Sequence, residues 1–295
     1  MSSARTVHLI DALPYVFRAY YSLPSSMKDP QGRPNNAVRG FGDFLVRYLG
    51  DESPTHVGVC FDRSLTTSFR NELYPAYKSG RELPPPELEA QLTNCRALAE
   101  ALGLACYDDE RYEADDLIAT LARPLWKKGH ACVVVTNDKD LCQLVGPQVR
   151  VYDFAKGERY DEAGVVEKMG VRAEQVPDYL GLAGDSVDDI PGVKGVGAKT
   201  ASALLGAFDH LEDLYADLER VSELPIRGAK TLGAKLEAER ERAFLSRELA
   251  TVAYDAPAQG GLRALARKPP CEALDALLEE LGMQRLRERI DALAF

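Results

Sequence analysis

The sequence predicts an α/β fold, with a mostly parallel central sheet flanked by helices and a smaller α-helical subdomain after it. Short apolar runs typical of buried strands alternate with segments of helical periodicity as far as residue 136. Beyond about residue 172 the pattern is helical only, with glycine-rich connections. A chain of 295 residues that is 45% hydrophobic can bury cores of this size. We therefore predict an α/β domain over residues 1–171 and a helical one over 172–295.

The individual elements follow from the spacing of apolar residues. Strands are predicted at 7–10, 56–61, 104–107 and 131–136, and helices at 36–48, 87–102 and 113–127. Pro124 is expected to kink or shorten the end of the last of these helices. Residues 63–86 show no period and end in three prolines, so we expect a loop that stays mobile until a ligand binds. The helical pattern at 272–294 is assigned only a packing role.

Composition and charge limit the class of protein. The N-terminus carries no secretory signal and no long apolar stretch, so we expect a cytoplasmic protein with no membrane partner. The six cysteines form no CxxC pair, which argues against a zinc site or a disulfide framework. A net charge of -10 argues against a protein that coats nucleic acid indiscriminately. Two stretches are nevertheless locally basic, 63–81 and 190–205.

Carboxylates carry the chemical signal. They end predicted strands, open a helix, or flank turns, in five groups: Asp11, Asp62, Glu113/Asp115/Asp116, Asp138/Asp140 and Asp185/Asp188. Any one group is compatible with a turn, a helix cap or a solvated loop. Together they indicate more, because parallel strands present their carboxyl ends at one edge of the sheet. Carboxylates that converge there repel one another unless cations lie between them.

The type of ligand narrows the metal and the reaction. Oxygen ligands without His or Cys nearby favour Mg²⁺ or Mn²⁺ over zinc. Two or more such ions, about 4 Å apart, can clamp the attacking and leaving oxygens of a phosphodiester. Lys78 and Arg81 are available for the developing negative charge if the basic loop folds over the site. Asp11-Ala12-Leu13 lacks the second aspartate of an aspartyl-phosphate phosphatase, and glycoside hydrolysis leaves the basic loop and the glycine turn unexplained.

A glycine-rich turn directly before a helix indicates contact with phosphates. In IPGVKGVGAKTA at 190–201, backbone N–H groups at the helix start and two lysines would form an anion site. A simple turn between helices is the alternative interpretation. Contacts of this kind hold a duplex without reading its sequence. The candidate DNA-binding residues are Gly192, Lys194, Gly195, Gly197, Lys199 and Thr200.

Six motifs, taken together, resemble the 5'-nuclease domain of bacterial DNA polymerase I and the wider flap endonuclease family. They are Asp11, FD at 61–62, FRNELYPAYKSGR at 69–81, EADD at 113–116, TNDKDLCQLV at 136–145 and GDSVDDIPGVKGVGAKTA at 184–201. The likeness runs from about residue 6 to 252, and the length is that expected of a stand-alone 5'-3' exonuclease. It implies a PIN-like nuclease fold, an arch or clamp at residues 63–95, and a helix-hairpin-helix in the second domain.

The resemblance also implies an activity and roles for single residues. The activity is metal-dependent hydrolysis of DNA at 5' flaps or single-strand to duplex junctions, including RNA primers paired with DNA, by a nucleoid-associated monomer. The first metal cluster would comprise Asp11, Asp62, Glu113, Asp115 and Asp116, and the second Asp138, Asp140, Asp185 and Asp188. Tyr77 would stack on a base, Lys78 and Arg81 would contact the reacting phosphate, and Arg70 would bind DNA. The hairpin would grip duplex phosphates and can hold K⁺.

Two positions depart from the family pattern, and two other functions stay open. Ala12 stands where the family usually has glycine, and Asp189 stands where asparagine is common. A DNA-junction binding protein with an incompetent metal site is the second hypothesis, and retention of all nine acids weighs against it. An RNA-directed nuclease of similar fold is the third, and the hairpin, which suits duplex DNA, weighs against it.

Overall fold

A single six-stranded sheet forms the centre of the molecule, which confirms the predicted α/β fold class. The computed structural model describes residues 4–63 and 66–293. The strands lie in the order β3-β2-β1-β4-β5-β6, the first five of them parallel and β6 antiparallel to β5. Their bounds are β1 Thr6–Asp11, β2 Val57–Asp62, β3 Ala105–Asp109, β4 Ala131–Val135, β5 Val149–Asp153 and β6 Glu158–Tyr160.

Helices cover both faces of the sheet and make up most of the chain after it. The sequence does not predict α1, whose Pro14 lies in the first turn, where a missing N–H costs nothing. Pro124 lies inside α5, which nevertheless continues to Lys127, so the expected shortening is absent. No helix in the described ranges is both long and apolar enough to cross a membrane. The α-helices are α1 Leu13–Ser22, α2 Asn36–Glu52, α3 Phe69–Leu73, α4 Pro86–Ala101, α5 Ala114–Lys127, α6 Glu162–Met169, α7 Val176–Ala183, α8 Ala198–Ala207, α9 Leu211–Ala216, α10 Ala229–Ala238, α11 Arg240–Ala250, α12 Leu262–Leu265, α13 Leu274–Glu280 and α14 Arg285–Asp291.

The strand register brings several acids to one edge of the sheet. Asp11 ends β1 beside Cys60 of β2, and Asp62 ends β2 two residues further on. Ile10 pairs with Val135, so the residues that follow β4 emerge beside Asp11. Ala12 adopts right-handed helical angles (φ -77°, ψ -39°), so the glycine usual at this position is not required.

Two hydrophobic cores lie on the two faces of the sheet. Leu9 belongs to the core shared with α5 and with the helices from α7 to α11, whereas the adjacent Ile10 belongs to the core shared with α1, α2 and α4. This alternation is what a strand covered on both faces requires. The C-terminal Leu274 and Ile290, on α13 and α14, belong to the second core, with α2 and α4. The boundary predicted at 171/172 stays a prediction.

The segment at 66–82 packs against the rest of the chain, and the mobility expected of 63–86 before a ligand binds stays a prediction. Helix α3 begins after Ser68, whose hydroxyl accepts a hydrogen bond from the backbone N–H of Arg70. Arg70, Tyr77 and Lys78 are all buried. Polar partners, rather than a hydrophobic period, hold these side chains against their neighbours. Residues 64 and 65 lie outside the described residues.

Candidate metal and nucleic-acid site

A cavity of about 250 Å³ opens at the carboxyl edge of the sheet, between α1 and the N-terminus of α5. Two cationic side chains, Lys78 and Arg81, share its wall with apolar groups from α1 and with Val187. Five of the nine predicted acids line it: Asp11, Asp62, Glu113, Asp115 and Asp138. The fold therefore brings four acids of the first predicted cluster and one of the second, Asp138, to one opening.

Backbone and side-chain donors fix two of these acids. Asp11 accepts a hydrogen bond at Oδ2 from Thr136 Oγ1 (2.9 Å), and Asp62 accepts one at Oδ1 from the N–H of Ala114 (2.6 Å). Burial raises the pKa of Asp62 to about 6, and burial together with the charge of Asp62 raises that of Asp11 well above its usual range. Burial and the charge of Asp138 do the same to the pKa of Asp115. These carboxylates repel one another in the absence of a cation.

Glu113 differs from its neighbours because basic groups surround it. Burial alone would raise the pKa of Glu113, but Lys78 and Arg70 lower it below the usual value. Lys78 Nζ lies 2.9 Å from Glu113 Oε1, and the Tyr77 hydroxyl donates to Glu113 Oε2 at 3.0 Å. Tyr77 is only 3% exposed, so the predicted stacking on a base requires the ring to leave this contact; the stacking stays a prediction.

Asp116 and Arg70 form a buried pair that does not line the cavity. Arg70 donates from its two terminal guanidinium nitrogens to the two carboxylate oxygens of Asp116, at 2.7 and 2.8 Å. Asp116 also accepts from the N–H groups of Glu113 (3.1 Å) and Ala253 (2.7 Å). Neither side chain exposes more than 3% of its surface. The sequence predicts that Asp116 is a metal ligand and that Arg70 binds DNA. In the structure both side chains are engaged with each other, so each predicted role would require this ion pair to break.

The second acidic set lies beside the first and is partly neutralised by lysine and arginine. Lys139 Nζ lies 2.5 Å from Asp185 Oδ2, and Arg81 forms an ion pair with Asp188. Burial and the charge of Asp138 raise the pKa of Asp140 well above its usual range. Oδ1 of Asp140 is buried and accepts no hydrogen bond from the described residues.

The acids fit a hard divalent cation in chemistry but are not arranged around one. Among the described residues no three Asp, Glu, His or Cys side chains converge closely enough to hold an ion. Lys78, Arg81 and Lys139 lie between the acids instead. An all-oxygen donor set, desolvated and with an orphaned carboxylate oxygen on Asp140, is suited to Mg²⁺ or Mn²⁺. Binding of a divalent cation would therefore require these basic side chains to move away from the acids.

The glycine-rich turn combines a buried anchor with an exposed face. Gly192 (φ +58°) lies so close to Gly184 that a Cβ would come within 2.4 Å of its nitrogen, which excludes any side chain. The N–H of Gly192 donates to Ser246 Oγ at 2.9 Å, so this glycine serves the fold of the turn. Gly197 precedes the first residue of α8. The exposed face comprises Lys194, Gly195, Gly197 and Lys199, with Thr200 half-buried beside them.

Family models account for nearly the whole chain. Residues 6–170 match the model described as "5'-3' exonuclease, N-terminal resolvase-like domain", and residues 171–273 match "5'-3' exonuclease, C-terminal SAM fold". The chain belongs to the 5'-3' exonuclease family. This membership confirms the resemblance drawn from the six motifs.

Curated relatives are similar along almost the full length of this family member. A 5'-3' exonuclease of Buchnera aphidicola is 36% identical over 89% of this chain and 86% of its own. DNA polymerase I of Pseudomonas aeruginosa is 44% identical over 95% of this chain, and that of Bacillus subtilis 40% identical over 98%. The chain spans only 31% and 33% of those two polymerases.

Solved structures of two other proteins share the fold. The T5 5'-exonuclease with bound zinc ions has a TM-score of 0.67 at 20% identity and covers 98% of both chains. The catalytic core of Rad2 in complex with a DNA substrate has a TM-score of 0.66 at 14% identity, over 99% of this chain and 93% of its own. At these identities the likeness shows the common 5'-3' exonuclease architecture.

Several residues at the site of this family member are absent from the sequence prediction. Thr136 orients Asp11, and Lys139 neutralises Asp185. Lys235 of α10 adds charge beside the glycine-rich turn, since its Nζ would lie 3.5 Å from a Cβ on Gly195. Thr136 and Lys139 lie inside the motif TNDKDLCQLV, so proximity to the acids could have indicated them. Nothing in the sequence indicates Lys235, because its position depends on how α10 packs.

The raised pKa values predict how metal should affect stability. A carboxylate with a raised folded-state pKa favours the folded protein below about pH 4, and that contribution is lost as the pH rises through about 6 for Asp62. A bound divalent ion removes the repulsion and needs ionised ligands, so it should stabilise more as the pH rises. At about 100 times its Kd, Mg²⁺ should add about 2.7 kcal/mol and raise the Tm by roughly 5 °C or more at pH 8.

Calorimetry in Mg²⁺ and in chelator, at pH 5 and pH 8, measures this effect. NaCl at matched ionic strength is the control for general screening. An increase in Tm that is equal at the two pH values, or larger at pH 5, would contradict the assignment of these acids to a metal site.

Proposed function

We propose that the chain is a structure-specific 5' nuclease, acting on DNA as a 5'-3' exonuclease and 5'-flap endonuclease. The observation that carries the proposal is the cavity at the sheet edge, where five buried or half-buried carboxylates meet two cationic side chains. Repelling acids of this kind are useful for hydrolysis once cations bind between them. The family membership and the DNA-bound Rad2 neighbour support the choice of substrate.

The proposed cofactor is Mg²⁺ or Mn²⁺, in two or more sites. When bound, such ions activate water and neutralise charge on a phosphodiester. The T5 5'-exonuclease neighbours with divalent metal ions support a metal requirement. We further propose that the hairpin can hold K⁺. The residues proposed to hold the divalent ions are Asp11, Asp62, Glu113, Asp115 and Asp138 at the cavity, with Asp140, Asp185 and Asp188 behind it.

Cationic side chains and backbone N–H groups of the chain are proposed to bind and orient the DNA. Lys78 and Arg81 line the cavity and are proposed to orient the scissile phosphate and to stabilise its developing charge. The exposed N–H groups before α8, with Lys194 and Lys199, are proposed to hold the duplex away from the cavity. Binding at two separate places would make cleavage depend on a junction rather than on sequence. The bacterial relatives support action in the cytoplasm, at the nucleoid.

Cleavage of a DNA duplex that carries a labelled 5' flap tests the proposal. Product is expected with Mg²⁺ or Mn²⁺ and not with chelator, and a matched 3'-flap duplex should stay uncut. An RNA flap paired to the same template tests the primer substrate. Binding of the 5' flap without any metal-dependent product would instead favour a DNA-junction binding protein.

Replacing Lys199 with alanine is expected to weaken binding to blunt duplex DNA and to lessen its salt dependence. Each phosphate contact contributes a slope of about -0.9 in log K against log salt concentration, so the slope should fall in magnitude by about 1. Fluorescence anisotropy in chelator, between 50 and 200 mM salt, measures the slope without cleavage. Lys128→Ala is the matched control, because Lys128 lies at the C-terminal end of α5, and the cavity lies at the N-terminal end of that helix. An unchanged slope in Lys199→Ala would show that the hairpin is only a turn.

A further inference from the structure

Residues 78–81, at the end of the locally basic stretch 63–81, are hydrogen-bonded to the turn that carries Asp185 and Asp188. The N–H of Lys78 donates to the carbonyl of Asp188 at 3.0 Å, and the N–H of Gly80 donates to Asp189 Oδ2 at 2.8 Å. Arg81 donates to the carbonyl of Val187 at 3.3 Å. Three consecutive residues of the turn thus hold the segment that presents Lys78 and Arg81.

Hydrogen bonds within the turn close it on itself. Asp185 and Ile190 exchange backbone hydrogen bonds at 2.9 and 2.8 Å, which closes the turn between them. The N–H of Val187 donates to Asp185 Oδ1 at 2.7 Å inside it. A group attached to this turn is therefore fixed relative to the acids at the sheet edge.

Backbone strain is concentrated where the two segments meet. Among the described non-glycine residues, only Ser53, Lys78 and Asp189 have positive φ, and the last two stand at this contact, with φ of 54° and 55°. Such a conformation costs about 1 kcal/mol or more and persists only where the surroundings hold it. Aspartate and asparagine tolerate it better than other side chains. The conformation of Asp189 aims its carboxylate at Gly80.

Asp189 is not placed to act through its charge. It does not line the cavity, and among the described residues it forms no ion pair with Lys, Arg or His. Among the described residues its carboxylate accepts one hydrogen bond, from the N–H of Gly80, and a Cβ on Gly80 would lie 3.1 Å from the same oxygen. An amide oxygen at this place could accept that hydrogen bond equally well.

We propose that Asp189 is a positioning residue, which sets the place of Lys78 and Arg81 over the cavity by accepting the hydrogen bond from Gly80. The kinetic part of this proposal rests on the proposed nuclease function. The positional part does not, because the contact can be measured without substrate.

Three substitutions separate the possible roles of Asp189. Asp189→Asn keeps the acceptor and the tolerated backbone, and should retain flap cleavage within about twofold. Asp189→Gly keeps the backbone without strain and removes only the acceptor, so kcat should fall about 5- to 10-fold, the factor expected for one hydrogen bond, with KM little changed. Asp189→Ala removes the acceptor and adds backbone strain, so its kcat should fall at least as far as that of Asp189→Gly. Ser53→Gly, at another positive-φ position, is the matched control and should not change kcat.

Amide hydrogen exchange in the full chain, without DNA, supplies the independent readout. In the peptide that contains Gly80, exchange should accelerate about 5- to 10-fold in Asp189→Gly and stay at the native rate in Asp189→Asn. Unchanged exchange and kcat in Asp189→Gly would overturn the proposal, and so would an Asn variant as impaired as the Gly variant, because charge would then matter. A native protein that cuts no flap refutes the nuclease function, whereas the exchange rates still decide the contact.

Discussion

Replacing Asp116 with alanine is expected to lower the free energy of unfolding by about 3–5 kcal/mol, because it removes the only bidentate partner that the described residues offer to the buried guanidinium of Arg70. Arg70 would keep the carbonyls of Leu249 and Thr251, at 2.7 and 3.0 Å, and a longer contact with Glu113 Oε2 at 3.5 Å. The N–H of Ala253 would also lose its acceptor. This one carboxylate therefore joins α3, the start of α5 and the chain after α11, and its loss should loosen all three.

Urea unfolding followed by circular dichroism measures the loss. Arg70→Ala should be destabilised similarly, and the double variant should lose little more than either single variant, since both remove the same interaction. Asp209→Ala, which removes the exposed ion pair of Asp209 with Arg172, is the matched control and should change stability little. A midpoint for Asp116→Ala close to that of the native protein would contradict the structural role.

This expectation changes how an inactive Asp116 variant should be interpreted. Resemblance to the family places Asp116 among the metal ligands, yet Arg70 holds both of its oxygens. Loss of cleavage in Asp116→Ala could then follow from loss of fold at the assay temperature. Activity should be compared only after the unfolding midpoint is known. Asp115, one residue earlier, offers a cleaner test of the metal site.

The sequence contains enough to predict the sheet and the acids at its edge. Strands β1, β2 and β4 are runs of apolar residues, and Asp11 and Asp62 stand at the ends of the first two. Parallel pairing then places the carboxyl ends of these strands at one edge of the sheet, independently of the conformation of the loops. The prediction lacks β5 and β6: Arg150 interrupts the apolar run of β5, VRVYD, and the three residues of β6, ERY, are too few to establish a period.

The sequence could not predict which acids are already paired with other groups of the chain. Arg70 and Asp116 stand 46 residues apart, and only the folded chain places them in contact. The same holds for Lys139 with Asp185 and for Gly80 with Asp189. A charged residue in a loop is typical of a solvated surface, so composition alone favoured mobility at 66–82. The folded chain instead pairs Arg70 and Lys78 of this stretch with buried acids.

Replacing Asp115 with asparagine is expected to lower flap cleavage about 100-fold or more while leaving the fold intact. Asp115 lines the cavity, and burial with the charges of Asp138 and Asp11 raises its pKa well above the usual range. Its ionised form is thus unfavourable in the metal-free protein, and a neutral amide of the same shape relieves the repulsion. The unfolding midpoint in chelator at pH 8 should therefore stay the same or rise. Activity should fall because bound metal contributes several kcal/mol to the transition state, and each 1.4 kcal/mol is about tenfold in rate.

The two readouts together distinguish a ligand from a structural acid. Single-turnover cleavage measures the rate, and the increase in Tm on adding Mg²⁺ at pH 8 should shrink in Asp115→Asn if this carboxylate helps to hold the ion. Asp161→Asn, at the N-cap of α6, is the matched control, because asparagine caps a helix as well as aspartate does. Native cleavage, or a native response to Mg²⁺, in Asp115→Asn would remove this residue from the site. Loss of activity with a lowered midpoint would place it beside Asp116 as part of the framework, since loss of a carboxylate that acts only as a metal ligand should not destabilise the metal-free fold.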